Sequence, residues 1–205
     1  MRITRYFQSC LLIEDEGSRI LVDPSGQEKE RLDDFGKLDA IFYTHEHGDH
    51  FDADMAKDFV EQGIAPVYAN QSTAKQIEAS KTIVEDGKEY EVGGIKVKAM
   101  ELSHCLMVDG SASVQNTGYL FNGKLFHAGD GKELDGLEVE TLAAPISGPD
   151  ISLKDAYAFT MQVKAKQILP IHYDYLGGNP DFLGSYLNKK GVKVRALTIG
   201  DSIEI

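Results

Sequence analysis

Residues 42–52 read FYTHEHGDHFD, and no other stretch restricts the fold as much. An apolar run, LDAIFYT, ends there, and three of the chain's six histidines follow at once, with Glu46 and Asp49 among them. A buried strand that runs straight into His45, His47, Asp49 and His50 sets four groups of metal-ligand type on one loop. Imidazole and carboxylate are the ligands that zinc, manganese and iron take. His45 and His47, two apart, point to one side of an extended turn and can share an ion. Asp49 and His50 come where the chain must turn, with Gly48 supplying the freedom to do so, and can face a second ion.

Four ligands cannot fill two coordination spheres, so the remainder must come from elsewhere. His104 follows KVKAMEL, Asp130 follows KLFHAG and His172 follows QILPI, each a ligand-type residue at the end of a predicted strand. The fold must therefore bring several strand ends to one edge. The pattern of the chain allows it. RITRYF, SCLLIE and SRILVDP are short β-rich runs, and strands then alternate with helices predicted over DADMAKDFVEQG, STAKQIEASK, SLKDAYAFTMQVKAK and PDFLGSYLNKKG. Ser152 with Asp155 forms a capping box for the third helix. APVYA, GGIKVKAMELSH, LEVETLAAP, QILPIHY, VKVRALTIG and SIEI read as strands, and YLFNGKLFHAGD as a hairpin about Asn122-Gly123, the favoured type I′ pair. The aperiodic stretch from Cys105 to Asn116 is expected to cover the site. This is the order of an α/β sandwich with loops at one sheet edge forming the site.

At 205 residues, 42% hydrophobic and 26% charged, without repeats or linkers, the chain is expected to form one domain over residues 1–205. A net charge of −12 with no basic stripe speaks against nucleic acid as a partner. No apolar run reaches the ~18 residues of a membrane helix, and the N-terminus meets charge too soon for a signal peptide. Two cysteines, Cys10 and Cys105, make no disulfide framework, so the expected compartment is the cytoplasm. Self-association is left open.

THEHGDH resembles the HxHxDH signature of the metallo-β-lactamase superfamily, and ILVDP, SH, HAGD and PIHY follow in that superfamily's order, across nearly the whole chain. RILVDP, NTGYLF…HAGD and ILPIHY are similar to UPF0173-type metal-dependent hydrolases and ascorbate-6-phosphate lactonase-like proteins. The resemblance implies a four-layer αββα sandwich with two divalent ions, zinc foremost and manganese as the alternative, at its edge. It implies His45, His47 and His104 on the first ion, Asp49, His50 and His172 on the second, and Asp130 bridging. It implies also a hydrolase whose metal-bound hydroxide attacks a small-molecule ester, lactone or phosphodiester, with Asp49 and Asp130 as the catalytic carboxylates, Asp49 orienting the water or receiving its proton. Where the superfamily often reads Gly-Asp-Thr, this chain has Gly129-Asp130-Gly131 and lacks that hydroxyl.

Two divalent cations against two carboxylates leave the centre positive, which favours a substrate with an anionic or polarised oxygen. Around this set, Asp23 can fix the tautomer of a ligand imidazole or serve as a turn carboxylate. His127 can reach the pocket as a proton donor or sit satisfied in the core. Tyr173 can polarise a substrate oxygen or simply pack. Cys105 reads as a small buried hydrophobe, and Glu46 should point away. The competing functions are an iron-dependent oxidoreductase of sulfur dioxygenase-like type, a processing nuclease and a non-catalytic metal module. His47, where flavodiiron proteins carry Glu, counts against that branch. The acidic charge and lack of an insertion count against the nuclease.

Overall fold

The computed structural model describes residues 1–205. The chain opens with three antiparallel strands, β1 (Arg2–Arg5), β2 (Leu11–Asp15) and β3 (Ser18–Val22). A 3-10 segment over Gly26–Phe35 leads to β4 (Ala40–Tyr43), α1 (Ala53–Glu61), β5 (Val67–Ala69), the one-turn α2 (Gln71–Ala74) and β6 (Thr82–Ile83). The second half begins with β7 (Glu89–Val92), β8 (Ile95–Leu102), β9 (Asn116–Phe121) and β10 (Leu125–His127), all antiparallel neighbours. It continues through β11 (Thr141–Pro145), α3 (Leu153–Gln162), β12 (Gln167–Ile171), α4 (Pro180–Leu187), β13 (Lys193–Val194) and β14 (Ser202–Glu204).

The strands form two seven-stranded sheets, ordered β14-β1-β2-β3-β4-β5-β6 and β13-β12-β11-β10-β9-β8-β7. Strands β3 to β6 run parallel, as do β10 to β13. Parallel strands need covering on both faces, which explains their near-continuous apolar runs. Ile20 and Val22 of β3 and Phe42 of β4 point between the sheets, where they meet Val97, Ala99, Tyr119 and Phe121. Their neighbours Leu21, Ile41 and Tyr43 point outward, onto Met55 and Phe59 of α1. In the second sheet Ala143 faces inward, while Leu142 and Ala144 face Phe159 of α3 and Leu183 of α4. The layers are therefore helix, sheet, sheet, helix. Burying each of these large side chains contributes about 1.5–3 kcal/mol.

The helices begin where the sequence supplies caps. The Asp52 carboxylate accepts the Met55 N–H at 2.9 Å, Ser152 and Asp155 form a reciprocal capping box, and Asn179 caps α4 with Pro180 in its first turn. The second predicted helix, STAKQIEASK, shrinks to the single turn of α2. Asn70 caps it, and the Ser72 and Thr73 hydroxyls are spent on the Glu46 carboxylate. VKVRALTIG likewise pairs only at β13, because the chain must then leave the second sheet and cross to the first. The Arg5 N–H donates to Asp201 O at 3.0 Å and the Gly200 N–H to Arg5 O at 2.8 Å, just before β14. No helix is long and apolar enough to cross a membrane.

Candidate metal centre

The ends of β3, β4, β5, β8, β10 and β12 meet at one edge of the sandwich. From β4 the chain enters Thr44, whose N–H and hydroxyl both donate to the Asp23 carboxylate at 2.7 Å. His45 follows, fully buried, and the tight turn from His47 closes with the His50 and Phe51 N–H groups both on His47 O at 2.9 Å. Glu46 points the other way and anchors the loop to Ser72 and Thr73. Asn70, just after β5, donates to Thr44 O at 2.9 Å.

Asp130 lies at the centre, 2% exposed. Its Oδ2 is 3.4 Å from His104 Nε2 and 3.9 Å from His45 Nε2. Its Oδ1 is 3.2 Å from His50 Nε2 and 3.5 Å from His172 Nε2. One oxygen thus faces each half of the cluster. Asp49 Oδ2 adds a contact of 3.1 Å to His172 Nε2. Two groups result, His45–His47–His104–Asp130 and Asp49–His50–His172, each with its ligand atoms within 4.8 Å of one another. The family resemblance implies His45, His47 and His104 on one ion, Asp49, His50 and His172 on a second and Asp130 between them; the structure brings all seven together, with Asp130 grouped beside the first three.

Whether these residues suit a cation can be tested on their hydrogen bonds. The Nε2 atoms of His45, His50 and His104 and Oδ1 of Asp130 are buried without a hydrogen-bond partner. Buried polar groups are rarely left so, since each costs about 1–3 kcal/mol. The opposite ring nitrogens are all committed to oxygens. His50 Nδ1 reaches Asp23 Oδ2 at 2.8 Å, His104 Nδ1 reaches Cys105 O at 2.7 Å and His172 Nδ1 reaches Ser147 O at 2.7 Å. His45 Nδ1 lies 3.0 Å from Thr44 Oγ1, whose single proton is given to Asp23, so the imidazole is the donor. With Nδ1 carrying the proton, each Nε2 turns a lone pair inward. The donor set fits a divalent cation.

Without an ion, the two groups titrate differently. Burial pushes His45 well below its ordinary value, and His47 below it, keeping both neutral. Burial acts the same way on His50 and His172, but Asp130, with Asp23 and Asp49 in support, outweighs it and raises both. Burial disfavours the charged forms of Asp130 and Asp49, yet the neighbouring His50 and His172 hold both carboxyls far below the usual range.

Residues 2–172 match the family described as Beta-lactamase superfamily domain. The chain belongs to the beta-lactamase superfamily. Within it, a UPF0173 protein of Pyrococcus furiosus is 30% identical, covering 95% of this chain and 94% of its own. A UPF0173 metal-dependent hydrolase of Staphylococcus carnosus is also 30% identical, over 95% and 96%. Among solved structures, Igni18, a metallo hydrolase from Ignicoccus hospitalis, superposes with a TM-score of 0.80 at 20% identity, covering 98% of this chain and 97% of that one. The four layers are the metallo-β-lactamase fold.

In this superfamily member Asp23 is part of the centre's frame. It is fully buried, holds His50 directly and His45 through Thr44, and adopts a positive φ of 50°. His127 is not at the pocket. Its Nε2 donates to Ser9 O at 2.8 Å and its Nδ1 accepts the Gly129 N–H at 3.2 Å, so both nitrogens are spent on backbone. Tyr173 is turned away as well, its hydroxyl donating to Leu197 O at 3.1 Å and its ring stacked against the Arg5 guanidinium. The Cys105 thiol is buried and pushed up to about 12, a packing residue in its protonated form. From the loop predicted to cover the site, Ser113 Oγ comes within 3.4 Å of His47 Nε2. Gly131 has a simple steric cause, since a Cβ there would run into the Leu102 side chain. Sequence reasoning missed Thr44 and Asn116. Asn116 accepts the Asp130 N–H at 3.2 Å and donates to Ala128 O at 3.0 Å. Neither residue type marks itself out along the chain.

Proposed function

We propose that the protein is a metal-dependent hydrolase acting on a small-molecule ester, lactone or phosphodiester. The observation that carries this reading is the set of buried, unpartnered atoms, His45, His50 and His104 Nε2 and Asp130 Oδ1, aimed at one another from three strand ends. His45, His47, His104 and one oxygen of Asp130 would hold one divalent ion, and Asp49, His50, His172 and the other oxygen a second. Zinc is the first choice and manganese the second, given the nitrogen-rich donor set. When bound, the ions would supply Lewis acidity and bring the pKa of a water to about 7.

The chain's own residues do the rest. Asp23 and Thr44 fix the imidazole tautomers. Asp49, half-buried at the rim and held ionised, would receive a proton and orient the attacking water. Cys10 and Cys105, both free and buried, suit a reducing compartment such as the cytoplasm.

Elemental analysis of untagged protein prepared without chelator tests the reading. About two zinc or manganese ions per chain are expected, lost in a His45→Ala/His50→Ala variant. A single iron per chain would move the assignment to an oxidoreductase. No metal that follows the substitution would sink the proposal.

A further inference from the structure

Gln8 lies outside every motif of the chain, yet it is 1% exposed and holds a positive φ of 51°. Strain of that kind in a residue other than glycine, costing roughly 1–3 kcal/mol, persists where the surroundings over-determine it. Here they do. The Gln8 N–H donates to Asp174 Oδ2 at 2.6 Å, and its carbonyl accepts the His172 N–H at 3.0 Å. The side-chain oxygen accepts the N–H groups of Asp174 and Tyr175 at 2.8 and 3.2 Å. Only an oxygen can accept two backbone N–H groups, so the amide orientation is fixed and its NH2 must face the other way. It faces Asp49, with Nε2 3.3 Å from Oδ2.

One residue therefore touches two of the three members of the Asp49–His50–His172 group. It links the Asp49 carboxylate to the turn that carries His172. The turn is braced from behind by the buried Arg5, whose guanidinium pairs with Asp174 Oδ2 at 2.5 Å. Phe7, next in the chain, is tied down too, its N–H donating to Glu28 Oε1 at 3.2 Å. The amide thus has little freedom to move. Asp49, 29% exposed at its side chain, has few other constraints.

We infer that Gln8 is a positioning residue for the second ion: its amide NH2 holds the Asp49 carboxylate in register with His172. The inference rests on reading this cluster as a metal centre. Gln8→Glu isolates the donor, since a carboxylate still accepts from Asp174 and Tyr175 but turns an oxygen toward Asp49. Affinities of the first and second equivalents of zinc are measured by chelator competition for the wild type, Gln8→Glu, Asp49→Asn and the double variant. The second equivalent should weaken about tenfold or more in Gln8→Glu, the first by less than about twofold. In the Asp49→Asn background the Gln8→Glu effect should largely vanish, because the Asn amide can donate back. Equal weakening of both equivalents, an undiminished loss in the Asn background, or tighter binding of the second equivalent would each overturn the inference.

A metal-independent readout separates it from the functional reading. In chelator-treated protein, the side-chain amide NMR resonance of Gln8 should shift in Asp49→Asn and exchange faster with water. If the wild type binds no zinc, the metal-centre reading falls, and this resonance alone decides whether Gln8 holds Asp49. An unmoved resonance would end the inference even in a protein that binds two ions.

Discussion

Asp23 accepts three hydrogen bonds in full burial, from the Thr44 N–H, the Thr44 hydroxyl and His50 Nδ1. An amide of the same shape cannot do this. In Asp23→Asn one oxygen is kept for the Thr44 N–H, and the new NH2 meets the Nδ1–H of His50 donor to donor. The imidazole must then move its proton to Nε2, the atom that faces Asp130. Metal affinity should fall roughly 10–100-fold, the range for partners that orient metal-binding histidines. Stability should fall by about 1–3 kcal/mol through the lost charge-assisted bonds. Chelator competition and thermal unfolding measure the two losses; unchanged metal affinity would show that Asp23 is only a turn carboxylate. At this scale the sequence was most legible where ligands are adjacent, as in HEHGDH. It was least legible for Gln8 and Thr44, whose partners Asp49 and Asp23 lie 41 and 21 residues away and become neighbours only in the fold.

Turns show how far local chemistry reaches at the scale of elements. Asn122-Gly123 forms the expected turn, with positive φ at both residues and the Lys124 N–H on Phe121 O at 2.9 Å. Gly93-Gly94 makes an equally tight connection, with Val92 opposite Ile95, but it was legible only as the start of a strand because EYEV before it is largely polar and exposed. Gly129 does more than turn the chain after β10. Its φ is 56°, and a Cβ there would run into Asn116 Oδ1 and come within 2.8 Å of Thr44 Oγ1. Those two side chains hold the Asp130 N–H and relay His45 to Asp23, so this glycine lets the loops of the two sheets meet. Gly129→Ala should cost about 1–3 kcal/mol through overpacking, with about 1–2 kcal/mol more for the left-handed backbone. Loosened metal binding should accompany the lower unfolding temperature. A variant as stable as the wild type would mean that the loops can separate without loss.

Across the whole molecule the two halves of the chain contribute differently to the centre. The first sheet supplies His45, His47, Asp49 and His50, and the second supplies His104, Asp130 and His172, so the cluster exists only when the sheets are packed. The strand order that achieves this was not legible, because β14 returns to the first sheet after the chain has passed through the second. The divided centre has a consequence for pH. His45 and His47 stand below the ordinary imidazole value and are neutral through the neutral range, whereas His50 and His172 stand above it and keep their protons longer. An ion must displace those protons, so acidification should remove it first from the Asp49–His50–His172 side. Loss there should begin above pH ~6.5, the ordinary imidazole value. Chelator-treated protein should show the opposite slope. A raised imidazole contributes stability that is fully present below its unfolded value and is lost as pH rises through its folded value. Asp49 and Asp130 stand below their usual range, so their contribution persists down to about pH 4 and is lost only as the pH falls further. The lowered His45 and His47 add stability as pH rises through the ordinary imidazole value. It is therefore from about pH 7.5 to about 9 that the raised pair should destabilise the chelated chain while tightening its hold on an ion at the Asp49–His50–His172 side. Metal titrations and unfolding curves over that range test both slopes, and parallel slopes or simultaneous loss of both ions on acidification would show that the two halves titrate as one.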